Sequence, residues 1–111
     1  MNKEMREPTF FVLMALLSGP KHGYALITEV AFLSDNALTL QVGTLYGALD
    51  RLQKEGLVSQ SGSEIVSGRH RRYVEITEDG VNALEAESAR LRSRELRVTA
   101  MLTQRRIGFA S

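Results

Sequence analysis

Two groups of side chains in this chain have the types and spacing to do chemistry, and in both it is the chemistry of gripping, not of making or breaking bonds. Gln41, Thr44, Tyr46, Gly47, Asp50, Arg51 and Lys54 fall on one side of a stretch in which Val42, Leu45, Leu49 and Leu52 recur every three or four residues. The polar side is short and hydrogen-bonding at the front, longer and charged behind. A helix built this way can press on a core with one face and offer the other to the base edges of a duplex groove. Gly47 would allow close approach, at about 1 kcal/mol of helix stability relative to Ala. The second group, Gly68-Arg69-His70-Arg71-Arg72-Tyr73, is the one dense basic cluster outside the C-terminal segment. Cations bind phosphates largely regardless of base sequence, so a basic turn beside such a helix makes a clamp. Taken singly, the two groups read as a solvated helix face and an exposed charge run. Their proximity favours the clamp.

Composition removes other classes. Net charge is +1, so attraction to nucleic acid has to come from how charge is distributed. With no cysteine there is no disulfide or thiolate metal site, which fits a reducing cytoplasm. His22 and His70 are the two histidines and neither has a partner at ligand spacing, so no metal, cofactor or catalytic histidine is expected. His22 is expected at a helix start or in the core, His70 at the tip of the basic turn. No glycine-rich phosphate loop or histidine–carboxylate pair supports an enzyme. No signal peptide is expected, and the longest apolar run, Phe10 to Leu17, is too short to cross a bilayer, so no membrane partner is expected.

The elements that must carry these groups follow from local signals. Pro8 suits the first turn of a helix whose Phe10-to-Leu17 run is apolar all round, and Ser18-Gly19-Pro20 stops it. A second helix is predicted from about Lys21 to Phe32 with Tyr24, Ile27, Val30 and Ala31 inward, followed by a Ser34-Asp35-Asn36 turn. Thr39 is the expected cap of the third helix, which ends at Glu55-Gly56 with the glycine left-handed. Strands are predicted over Val58–Gly62 and Arg71–Ile76, joined by a mobile tip carrying Gly62, Ser63, Ser67 and Gly68. Thr77-Glu78-Asp79 then caps a fourth helix reaching about Gln104. The fold class is therefore mainly α with a small antiparallel β-hairpin: a winged helix-turn-helix followed by a long C-terminal dimerisation helix. The domains expected are a flexible lead-in over 1–7, the winged helix over 8–77, the dimerisation helix over 78–105 and a tail over 106–111.

Three motifs, His22-Gly23-Tyr24, then Gly43-Thr44-Leu45-Tyr46 with Leu49-Asp50-Arg51-Leu52 and Gly56-Leu57-Val58, then Gly68 with its basic run, Tyr73 and Ile76-Thr77-Glu78-Asp79-Gly80, resemble the PadR family of bacterial transcription regulators. The resemblance covers about residues 8–80 and rests chiefly on the middle motif. It implies a homodimeric, sequence-specific DNA-binding regulator, most often a repressor released by a small molecule, acting on double-stranded DNA at a pseudo-palindromic operator. Members often carry proline where Gly47-Ala48 stands, and the absence of tryptophan argues against a drug pocket walled by indoles.

The DNA-binding set is then Gln41, Thr44, Tyr46, Gly47, Arg51, Lys54, Arg69, His70, Arg71 and Arg72. In the last helix Leu84, Leu91 and Val98 stand seven apart and Leu102 continues the stripe, but Ser88 and Glu95 interrupt a heptad pattern. These four, with Phe10, Phe11 and Met14 of a partner's first helix, make the expected dimer interface. Phe10, Met14 and Met101 are the expected walls of a pocket for a small hydrophobic or aromatic effector. Arg90, Arg94 and Arg97 form a basic stripe, and a Glu87–Arg90 pair is read as a surface pair worth a few tenths of a kcal/mol. The other reading is a winged-helix protein-interaction module that does not bind DNA.

Overall fold

Pro8 falls in the first turn of helix α1 (Glu7–Leu16), where its missing N–H is no loss. Val12, Leu13, Ala15 and Leu16 of α1 are fully buried, and Phe10, Phe11 and Met14 pack against the same core. The computed structural model describes residues 5–110, with side chains through residue 108. Of the expected lead-in, residues 1–4 lie outside the described residues, while Met5 already packs on the core.

Helix two does not begin at Lys21. Lys21–His22 instead form a short strand, β1, and helix α2 spans Gly23–Leu33. Two residues carry too little periodicity to announce a strand; a third strand must offer them a free edge. That strand is β3 (Arg69–Ile76), which pairs antiparallel with β1 on one side and with β2 (Val58–Val66) on the other. The sheet is thus three-stranded, in the order β1-β3-β2, where a two-stranded hairpin was expected. The hairpin is also longer than expected: pairing runs to Val66↔Arg69, with one bulge between Gln60 and Gly62. The turn is only Ser67-Gly68, both at positive φ, the geometry that matches the twist of paired strands.

In α2 the buried positions are Gly23, Leu26 and Val30, with Ile27 and Ala31 half-buried. Tyr24 is exposed, contrary to expectation, because the fully buried stripe of α2 runs through Gly23, Leu26 and Val30 and Tyr24 lies off it. Asp35 and Asn36 take the left-handed conformation in the turn, and Ser34 Oγ accepts from the Leu38 N–H at 3.0 Å.

Helix α3 (Val42–Lys54) buries Leu45, Ala48, Leu49 and Leu52. Val42, placed inward by its spacing, is exposed, since it opens the helix beyond the core's edge. Thr39 does not cap the helix: Gln41 holds the capping position without a side-chain bond. The C-terminus closes as expected. Gly56 has φ +77, and the N–H groups of Gly56 and Leu57 donate to Gln53 and Leu52 carbonyls at 3.1 and 2.9 Å.

Helix α4 (Glu78–Ala110) runs 33 residues, beyond the predicted Gln104 and through most of the expected tail. Thr77 caps it, its Oγ accepting from the Gly80 N–H at 3.0 Å and donating to the Gly56 carbonyl at 2.7 Å. Leu84 belongs to the domain core, so it serves its own chain and drops out of the expected dimer surface. From Leu91 to Gly108 every residue is exposed, and the molecule measures 70 Å along its longest axis. Among the described residues no helix is long and apolar enough to cross a membrane.

Two glycines separate packing from propensity. A Cβ on Gly80 would lie 2.2 Å from the Leu57 carbonyl oxygen, whereas one on Gly47 meets nothing within 4 Å. Gly80→Ala should therefore cost about 3 kcal/mol in chemical denaturation, since backbone rather than a side chain has to yield. Gly47→Ala should add up to about 1 kcal/mol of stability. Equal effects from the two would refute this packing.

Candidate nucleic-acid interface

The front of α3 is built from residues its own core contacts leave over. Burying Leu45, Leu49 and Leu52 turns Gln41, Thr44, Tyr46 and Gly47 outward, and all four are exposed. Tyr46 is half-exposed, and its hydroxyl end lies against α2: a Cβ on Gly23 would come 2.7 Å from Tyr46 Oη. The Gly23-Tyr24 step of the first motif thus makes room for the Tyr46 ring. It links the two helices of the helix-turn-helix.

Arg51 does not join this front, whereas Lys54 stands exposed at the far end of the same helix. Arg51 Nη2 donates to Thr9 Oγ1 at 2.9 Å, which turns the guanidinium back onto α1. Thr9 is buried, so Arg51 anchors α3 to α1. Lys54 faces Asp50 at 3.8 Å across one helical turn, with both side chains largely exposed, a pair of little energetic weight. Helical periodicity places a Cα on a face; it does not say which neighbour a long side chain reaches.

The basic turn is a paired hairpin, and its four candidates separate by face. Arg69, His70 and Arg72 are exposed, while Arg71 is half-buried. Strand alternation puts Arg71 and Tyr73 on the face opposite Val74 and Ile76. There β1 supplies His22, whose ring meets that of Tyr73 edge-on at 5.5 Å. Arg71 Nη1 stands 3.3 Å from His22 Nε2. The Tyr73 hydroxyl donates to Glu64 of β2, a bond that raises the phenol above its ordinary range by favouring the protonated form. Glu64 is also the register partner of Arg71. His22 is at the helix start, as expected: its Nδ1 faces the Ala25 N–H at 3.4 Å. The spacing announces neither contact: His22–Arg71 joins segments 49 residues apart, and Glu64–Tyr73 needs β2 to continue past Gly62, where the strand was expected to end.

The expected effector walls do not meet within one chain. An open groove between α1 and α4 is lined by Met5, Phe10, Phe11, Glu87, Leu91 and neighbouring arginines, without Met14 or Met101. Met14 packs on the core, and Met101 lies 14 residues beyond Glu87 on the same helix, about 21 Å along its axis. The groove instead holds the Glu87–Arg90 pair. Glu87 is buried, so this is no surface pair as its spacing implied. Arg90 Nε donates to Glu87 Oε1 at 2.8 Å and Nη2 contacts Oε2. Among the described residues no cluster of three or more His, Asp or Glu side chains could hold a metal ion.

Three helices, a three-stranded sheet with an extended basic hairpin and a protruding last helix define a winged helix-turn-helix protein. Residues 12–86 match the Transcriptional regulator PadR-like family, and the chain belongs to it, a family of regulators and not of enzymes. Solved structures agree. A PadR family transcription regulator from Clostridium difficile R20291 superposes with a TM-score of 0.72 at 22% identity, over 87% of this chain and 99% of that one. A PadR-like transcriptional regulator from Bacillus cereus gives 0.68 at 25% identity, over 85% and 89%. Bacillus subtilis PadR in complex with operator DNA gives 0.64 at 18%, over 73% of this chain and 46% of that one. An uncharacterised protein of Lysinibacillus sphaericus is 26% identical over 69 residues, which span 62% of this chain and 63% of that protein.

The Arg90 hydrogen bonds hold the Glu87 carboxyl below the ordinary glutamate range, outweighing the opposing effect of burial. A carboxylate with a lowered native pKa stabilises the fold above its unfolded value, about 4.3, and that contribution disappears as pH falls through the native value. Denaturation midpoints should thus decline on acidification below about pH 5, and more steeply for the wild type than for Glu87→Gln. Parallel pH profiles for the two would show that the pair contributes nothing.

Proposed function

We propose that this chain is a sequence-specific DNA-binding transcriptional regulator that works in the cytoplasm as a homodimer, most simply as a repressor. Helix α3 lies in the major groove and reads base edges through Gln41, Thr44 and Tyr46, with Gly47 allowing close approach. Arg69, His70, Arg71 and Arg72 of the wing hold flanking phosphates. The observation that carries this reading is the exposed, mostly uncharged front of α3 beside an exposed basic hairpin. The fold likeness to a PadR protein captured on its operator supports the same placement.

The dimer reading rests on α4. Leu91, Val98 and Leu102 are 40%, 58% and 47% exposed, and Leu96, Met101 and Ile107 add further apolar surface. A second copy covering this arm, with Phe10 and Phe11 of its first helix, would place two recognition helices about 34 Å apart on a pseudo-palindrome. A small hydrophobic or aromatic effector that bound the Phe10 groove differently in two arm arrangements would shift that spacing.

Titration of a mixed-sequence duplex at two salt concentrations tests the DNA reading. Affinity should fall steeply with salt, and Arg69→Ala or Arg72→Ala should each lower the log–log slope by about one. Gln41→Ala or Thr44→Ala should instead relax the base preference recovered by selection from random duplexes. Binding indifferent to salt and to all four substitutions would point to a protein-interaction module. For the dimer, light scattering should report twice the chain mass, and a chain ending before Arg90 should report the monomer mass. A truncated chain that stays dimeric would move the interface elsewhere.

A further inference from the structure

His22 is asked for two hydrogen bonds that one imidazole cannot accept together. The Ala25 N–H at the start of α2 points at Nδ1 from 3.4 Å, and Arg71 Nη1 stands 3.3 Å from Nε2. Both neighbours are donors only, and arginine stays protonated in proteins. A neutral histidine has one N–H and one lone pair in the ring plane, so it serves one of the two. With Nδ1–H it holds Arg71 and leaves the Ala25 N–H uncapped; with Nε2–H it caps α2 and lets Arg71 go. A bond from a charged donor is about twice as strong as one from a neutral amide, so the free protein should favour the first form. The surroundings agree. Around the ring stand Arg71 and Tyr73 of β3 and, beside it on β1, Lys21; Glu64 of β2 accepts from Tyr73 and lies opposite Arg71 in the register. Arg71 is the half-buried member of a wing whose other cations are exposed.

We propose that His22 is a positioning residue for the wing: its Nδ1–H tautomer parks Arg71 against the sheet, and when Arg71 moves to a phosphate the ring passes to the Nε2–H tautomer and caps α2. The ring proton leaves Nδ1 and one is taken up at Nε2 through solvent, with no net change in charge. Engagement of the wing and tightening of the helix-turn-helix are then one event, since His22 belongs to both. The handover rests on the DNA-binding reading above; the tautomer competition does not.

Nitrogen-15 spectra of the histidine rings at pH 8, where the two tautomers are resolved, test both parts on the full chain. His22 in the free wild type should be mainly Nδ1–H. Arg71→Ala should turn it to Nε2–H, and saturating mixed-sequence duplex should move the wild type the same way. His22→Asn retains a good capping residue but cannot reach Arg71, and should bind duplex about threefold more tightly at equal salt. In an Arg71→Ala background the same change should leave affinity unaltered. Mainly Nε2–H in the free wild type, a tautomer indifferent to Arg71→Ala, or a His22→Asn effect that persists without Arg71 would each overturn the proposal. If wild type and His22→Asn both fail to bind duplex, the handover falls with the DNA-binding reading. The Arg71→Ala tautomer shift, which needs no DNA, then reports separately on the competition.

Discussion

Gly80 sits so close to the Leu57 carbonyl that no side chain fits between them, and the orientation of the rest of the molecule depends on that contact. Three elements meet there. Helix α3 ends at Lys54, two residues before Gly56, β3 ends at Ile76 and α4 begins at Glu78. Thr77 bonds two of them through one hydroxyl, to the Gly56 carbonyl and the Gly80 N–H, and its own N–H donates to Leu57 at 3.0 Å. Backbone-to-backbone packing of this kind has little room to deform. The direction in which α4 leaves the domain is therefore tied to the end of α3.

Glu87 marks where α4 leaves the domain body. Leu84 is in the core and Glu87 is buried against the start of α1, whereas every residue from Leu91 to Gly108 is exposed. An amphipathic helix that loses its partner surface within two turns leaves an apolar stripe in water, which is costly for a chain of this size. The buried Glu87–Arg90 pair lies between these two regimes. Its spacing is that of a weak surface pair, but Glu87 is buried while Arg90 is only partly so, and the carboxylate depends on the guanidinium that caps it from the groove.

The charge pattern of the candidate interface is sparing. With Arg51 drawn back to Thr9, the front of α3 offers mainly neutral hydrogen-bonding groups, and positive charge is left to the hairpin. Within the hairpin Arg71 is half-buried beside His22, and the exposed cations are Arg69 and Arg72. Such a division suits the proposed reading, in which a protein of net charge +1 meets a groove at one place and phosphate at another.

Much of this was legible in the chain because it is local. The period of Leu45, Leu49 and Leu52, the glycine after Glu55 and the Thr77 cap each act within a few residues, so α3, its end and the start of α4 could be placed without coordinates. The same holds for the exposed front at Gln41 and Thr44, which is what a buried leucine stripe leaves over. Other features had no local signal. Lys21–His22 became a strand because β3 had an open edge, Arg51 turned inward because Thr9 lay within reach, and Leu84 was taken by its own core. His22 met Arg71 across 49 residues of chain. Periodicity decides which face of an element a residue occupies, but the neighbour it finds there is set by how elements distant in sequence pack together.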